Sequence, residues 1–165
     1  MKTLVLVRHA KSSWDDPNLS DRERPLNKRG ERDAPFMADL IKKINVIPDI
    51  IYSSPATRAL TTSKMFASVF NYNIDKIEIK DSIYEFGFSQ IINLISHSDN
   101  KFNTIFLFGH NPDITAVSSY LSNKHFENVP TCGVVGIEFD FERWDSMAKN
   151  SGKIKFYEYP KKYFK

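Results

Sequence analysis

The stretch TLVLVRHA, residues 3–10, decides the fold. Thr3 to Val7 is an unbroken run of β-branched residues and leucine, the pattern of a strand buried on both faces. It stops at Arg8-His9, and residues 9 to 25 then form a long polar excursion containing charge and proline. Excursions of that length in a short chain are usually functional. A second uncharged run, Thr104 to Phe108, reads as a central strand and ends in Gly109-His110-Asn111-Pro112.

Outward from these runs, strand and helix patterns alternate. A helix is predicted from near Asn27 to about Ile44, with Phe36, Met37, Leu40, Ile41 and Ile44 at helical spacing. Pro35 within it argues for a kink or a start later than Asn27. Asp49 to Tyr52 reads as a second short strand. Ser54-Pro55 then supplies an N-cap and a first-turn proline for a helix carrying Arg58, Met65 and Phe66. A third strand falls near Ile77 and Ile79, a helix covers residues 89 to 95, and another helix starts at Pro112. Val134 to Phe141 and Ile154 to Tyr159 alternate as antiparallel edge strands do. The pattern implies an α/β fold, a three-layer α/β/α sandwich around a mostly parallel sheet. No repeat or linker interrupts it, so residues 1–165 read as one domain.

Composition narrows the function. The 41% apolar and 26% charged shares are those of a globular protein, and the net charge of +3 comes from scattered basic residues. That gives no footprint for nucleic acid. The tail KIKFYEYPKKYFK reads as an edge strand with a basic terminus rather than a base-stacking surface. The lone Cys132 excludes an internal disulfide, reads as a small buried residue, and no Cys/His cluster has zinc spacing. No metal or cofactor is expected. The N-terminal apolar run is too short for a signal peptide, and no stretch approaches the ~20 apolar residues that span a bilayer. The expectation is a cytoplasmic monomer with no membrane or nucleic-acid partner. A P-loop and a G-x-S-x-G elbow are both missing from the sequence, against nucleotide and serine-hydrolase chemistry.

The chemistry gathers where buried strands end. Arg8-His9 follows the first strand and His110-Asn111 the fourth. Ligands of open α/β sheets collect beyond the carboxyl ends of strands. If the two strands are parallel neighbours, His9 and His110 face each other across such a crevice, and Arg58, one turn into its helix, can reach the same mouth. Arginine forks match phosphate oxygens and stay charged. A neutral imidazole can attack phosphorus and hold the phosphoryl group as a phosphoramidate. A second histidine, if protonated, adds charge where the transition state needs it.

The segments LVLVRHAKSSW, RPLNKRGERDAPFMADL, SSPATRALTT and FGHNPDI, in that order, resemble the histidine phosphatase superfamily, in particular its short SixA-type phosphohistidine phosphatases. The resemblance runs from residue 3 to about 120. It implies a phosphoglycerate mutase-like fold, His9 as phospho-acceptor, Arg8 and Arg58 as phosphate clamps, and His110 as a hydrogen-bonding partner of the phosphoryl group. Arg24 and Asn111 are carried over as substrate-binding residues at the pocket border. The substrate implied is phosphohistidine in a protein, with a small phosphorylated metabolite such as a sugar phosphate as the alternative and a non-catalytic phosphate-binding module as a third. A mutase fits less well, because the chain is short of insertions for a lid.

The proton donor is the unresolved part of the pattern. Glu85 lies in the right region without a convincing motif, and reads more readily as a surface carboxylate than as the acid. An ester's leaving oxygen needs proton help worth ~10²–10⁴-fold, whereas a protonated phosphohistidine leaves as neutral imidazole. The ambiguity tilts the substrate toward a P–N bond. Most of the run DDPNLSDRERPLNKRGERD reads as a solvated loop, with Trp14 either packing it down or lining the mouth. His97 and His125 read as solvated.

Overall fold

Lys2–Arg8 forms β1, and in the computed structural model, which describes residues 1–165, it lies near the middle of a six-stranded sheet. The other strands are β2 (Ile50–Ser53), β3 (Glu78–Ile79), β4 (Thr104–Gly109), β5 (Val134–Phe139) and β6 (Gly152–Glu158). Their order across the sheet is β3-β2-β4-β1-β5-β6. The first four are mutually parallel; β5 runs antiparallel to β1, and β6 antiparallel to β5. Of the two antiparallel strands only β6 is an edge. β5 is covered on both sides by neighbours, which is why Val134, Val135, Ile137 and Phe139 are all buried.

Alternation along the strands builds two cores. Leu4, Leu6, Ile105 and Leu107 face α4 (Phe88–Ser96) and α5 (Asp113–Leu121), meeting Ile91, Ile95, Ile114 and Val117. Val5, Val7, Phe106 and Phe108 face α1 (Lys28–Lys43) and α2 (Thr57–Val69), meeting Met37, Ile41 and Phe66. The three layers expected from the pattern are therefore present. No helix is long and apolar enough to cross a membrane.

One helix start agrees with the sequence reading and one differs from it. The first helix runs from Lys28 without a delayed start, capped by the Asn27 side chain, which accepts from the Gly30 amide at 2.9 Å. Pro35 is accommodated inside it, because a proline there removes one backbone bond while the buried face of Ala34, Met37, Ala38 and Ile41 holds the helix down. The second helix begins two residues later than Ser54-Pro55 implied, with Ala56 as its N-cap. Ser54 is employed elsewhere, as described below. The short α3 (Ser82–Glu85) precedes α4.

Gly30 shows how tightly the loop after β1 is drawn in. A Cβ at this position would stand 2.2 Å from the Lys11 carbonyl oxygen, and that same carbonyl accepts from the Asn27 amide at 3.0 Å. Gly30→Ala is expected to destabilise the protein by about 1–2 kcal/mol, the clash outweighing the gain in helix propensity. Urea unfolding would measure this, and an unchanged midpoint would mean that loop and helix are free to separate.

Candidate active site

β1 and β4 pair so that Arg8 lies opposite Gly109. The two chains then leave the sheet toward opposite faces, β1 leading to α1 and β4 to α5. The divergence opens a crevice at their carboxyl ends, and His9 and His110 meet across it with ring centroids 5.1 Å apart. The backbone here is held from several sides. The His9 amide donates to the Gly109 carbonyl at 3.0 Å, and the Cys132 amide approaches both the Arg8 and His9 carbonyls at 3.0 Å. Cys132 adopts a left-handed φ of 58° to make that approach. The Ala10 amide donates to Thr62 on α2.

His9 has its tautomer set by geometry. Nδ1 stands 2.7 Å from the Ala10 carbonyl oxygen, which can only accept. Nδ1 therefore carries the proton, and Nε2 keeps its lone pair. Burial holds the His9 pKa down to about 3. The bond to Ala10 works against this, and the charges of His110, Arg58 and Arg8 reinforce it. The imidazole is thus neutral at ordinary pH, as a nucleophile must be.

His110 is likewise pushed down, to about 4, by burial first and then by Arg58, with Asp21 opposing and Arg8 adding to it. A protonated second histidine is accordingly not the state of the free protein. Its Nε2 lies 2.8 Å from the Ser54 hydroxyl oxygen, and that oxygen is itself held by the Ala56 amide, which donates to it. Ser54 therefore orients His110. His110 Nδ1 and Arg8 Nε are both buried without a hydrogen-bond partner. Buried polar atoms are rarely left so. Two of them, one on Arg8 next to His9 in the chain and one on His110 across the crevice from it, suit an oxyanion.

Arg8 donates through Nη1 to the Val129 carbonyl at 3.0 Å. Arg58, also buried, donates from Nη1 to the Asp21 carbonyl at 2.6 Å and from Nη2 to the Asp21 carboxylate at 3.0 Å. The same carboxylate oxygen accepts from the Tyr84 hydroxyl at 2.6 Å, and the Tyr84 ring stands edge-on to His110 at 5.4 Å. The Tyr84 hydroxyl above all, with Arg58 and Arg24, holds the Asp21 carboxyl down to about 2. Reciprocally, the bond to Asp21 raises the Tyr84 hydroxyl above its usual value.

The residues read from sequence thus separate into two groups. Arg8, His9, Arg58 and His110 converge. Glu85 does not join them: it is exposed at the end of α3, and the side chain entering the site from that helix is its neighbour Tyr84. Asn111 is committed elsewhere, its amide nitrogen donating to Asn128 and Val129 and its oxygen accepting from Thr115, so it holds loops together and has no amide hydrogen to spare. Arg24 borders the site through Asp21 but is spent on loop structure, donating to Ser12, to the Ser13 carbonyl and to Asp21. Trp14 lies over the Arg24 guanidinium at 3.3 Å yet is 74% exposed, so it both pins the loop and faces solvent. Asp21 and Tyr84 were missed. Asp21 sits in the charge run read as mostly solvated, and its only local signal is the Ser20–Glu23 capping box that shapes its turn. Most of the run is exposed, as expected, but Arg24, Leu26, Gly30 and Asp33 within it are buried. His97 is exposed, as is His125, and Cys132 is buried, its thiol pushed up by burial.

Comparisons with known proteins place this geometry. The profile of the histidine phosphatase superfamily (branch 1) matches residues 4–96. An uncharacterised chloroplastic protein of Arabidopsis thaliana is 33% identical over 159 residues, covering 92% of this chain and 72% of that protein. A 2,3-bisphosphoglycerate-dependent phosphoglycerate mutase of Cutibacterium acnes is 40% identical over 62 residues, 36% of this chain and only 25% of the mutase. Among solved structures, an Agrobacterium tumefaciens protein named as a phosphohistidine phosphatase SixA superposes with a TM-score of 0.80 at 25% identity, covering 96% of this chain and 98% of that one. The protein histidine phosphatase SixA complexed with tungstate gives 0.82 at 18% identity, covering 97% and 98%, which speaks for the fold alone.

The depressed histidines have a stability consequence. Between about pH 6.5 and their folded values of about 3 and 4, the unfolded chain binds protons that the folded chain refuses. Stability should therefore fall as pH drops from 6.5 toward 4, by roughly 1.4 kcal/mol per pH unit for each histidine. Denaturant titrations of wild type and His9→Gln across this window should show a shallower loss in the variant. Parallel slopes would mean that His9 titrates normally.

Proposed function

The chain belongs to the histidine phosphatase superfamily, and from that premise we propose that it removes phosphoryl groups through a phosphohistidine intermediate on His9, with phosphohistidine in proteins as its substrate. The observation that carries this reading is His9 itself: buried, neutral, its Nδ1 proton fixed on Ala10, its Nε2 lone pair available, and two buried polar atoms without partners nearby. In the first step Nε2 attacks phosphorus and the bond to the leaving nitrogen breaks in line. Arg8, Arg58 and His110 hold the non-bridging oxygens. An arriving phosphoryl dianion favours the protonated form of His110, so its charge would appear when the substrate does. In the second step water attacks phospho-His9, releasing phosphate and restoring the imidazole.

The leaving group is the basis for preferring a P–N bond. The carboxylate at the site, Asp21, is held ionised by Tyr84, Arg58 and Arg24, and the Tyr84 proton is bound more tightly than usual. Neither group is suited to protonate an alkoxide. A phosphorylated imidazole carrying its own proton departs neutral and asks for no such donor. The partial match to phosphoglycerate mutases keeps small phosphate esters as the competing substrate class.

Brief incubation with a phosphodonor followed by denaturation should trap an adduct that survives alkali and is lost in acid, as a phosphoramidate does. His9→Ala should abolish the adduct and lower turnover by more than about 10³-fold, and wild-type turnover in that variant would sink the mechanism. Phosphohistidine peptides should be turned over with higher kcat/KM than a panel of sugar phosphates and aryl phosphates. The reverse ranking would assign the ester reading.

A further inference from the structure

Asp21 ties together groups from three separate segments. Its backbone carbonyl and one carboxylate oxygen take a hydrogen from each terminal nitrogen of Arg58, at 2.6 and 3.0 Å. Its Oδ2 also accepts from Tyr84, whose ring stands against His110. Its Oδ1 takes Arg24 Nη1 at 3.2 Å. Arg58 and Arg24 are buried, so these bonds form at the floor of the loop even though the Asp21 side chain is about half exposed. The turn that carries Asp21 is itself fixed, since the Ser20 amide and hydroxyl both donate to Glu23.

A guanidinium has five N–H groups in one plane. With one hydrogen on each terminal nitrogen taken by the same residue, rotation of that plane is fixed and three N–H groups remain. From this we infer that Asp21 is a positioning residue of the phosphoryl site: it locks the Arg58 fork in the orientation that meets phosphoryl oxygens, and it holds Tyr84 against His110. The inference rests on Arg58 being a phosphate clamp.

The charge of Asp21 makes the idea testable by sign. A carboxylate beside an anion site repels the anion, so if charge alone mattered its removal would tighten anion binding. If orientation dominates, removal loosens it. Orthovanadate binding, measured by calorimetry, and aryl phosphate turnover should be compared in wild type, Asp21→Ala, Asp21→Asn, Arg58→Ala and the Asp21→Ala/Arg58→Ala double variant. Asp21→Ala should weaken vanadate about 10-fold and lower kcat about 10–100-fold, the scale of a misplaced catalytic group. Asp21→Asn, which keeps an acceptor oxygen, should fall between. In the Arg58→Ala background the added loss should be under about twofold, because the effect passes through Arg58. Tyr84→Phe, which removes only the hydroxyl, should cost about 2–10-fold and serves if Asp21→Ala does not fold. Tighter or unchanged vanadate binding in Asp21→Ala, or equal losses in both backgrounds, would overturn the inference. Wild-type protein that binds vanadate but turns over no phosphodonor would overturn the phosphatase reading and leave this one standing, whereas no vanadate binding at all would overturn both.

Discussion

Parallel pairing of β1 with β4 is the constraint on which the site depends. Each strand has helices over both its faces, so the middle of each is apolar, Leu4 to Val7 and Ile105 to Phe108, and charge is confined to the strand ends. The first places for polar chemistry are therefore the last rung, where Arg8 pairs with Gly109, and the residues just past it, His9 on one strand and His110 on the other. Register does the rest. A slip of one residue would turn His9 toward the other face of the sheet, and the amides of His9 and Cys132 fasten the strand end against such a slip.

The same burial that builds the sheet sets the chemistry. Taking two imidazoles out of water and placing them beside two guanidinium groups disfavours protonation of either. A site with three or four positive charges would bind phosphate tightly and would have no nucleophile. Here the permanent charges belong to the arginines, and both histidines are neutral in the free protein. Asp21 limits the positive field further and is held ionised by the groups it orders.

Much of this could be read from the chain because two-sided strands leave a continuous apolar signature, and because the four convergent residues each stand at a strand exit or one helical turn beyond it. What escaped reading was held by long-range bonds with no local period. Asp21 reaches Arg58 across 37 residues and Tyr84 across 63, and nothing in a run of alternating charges marks one carboxylate from another. Ser54 looked like a helix cap since Ser-Pro is a good cap sequence; the fold assigns its hydroxyl to His110 instead. Glu85 and Tyr84 are adjacent, yet Glu85 is exposed and it is the Tyr84 side chain that reaches Asp21 and His110. Asn111 follows the second histidine in sequence but turns away toward Asn128 and Val129.

Trp14 gives the molecule an optical property. Its indole lies on the Arg24 guanidinium, and Arg24 reaches Arg58 through a single shared carboxylate. The chain holds two tryptophans, and the other, Trp144, is fully buried with its N–H on the Phe102 carbonyl, close to the amino-terminal end of β1 where Lys2 is anchored. One fluorophore thus sits in solvent at the rim of the crevice while its counterpart is sealed in the core at the far end of the sheet. Emission from the protein is a sum of a component coupled to the loop's electrostatics and a component that reports only on whether the core is intact.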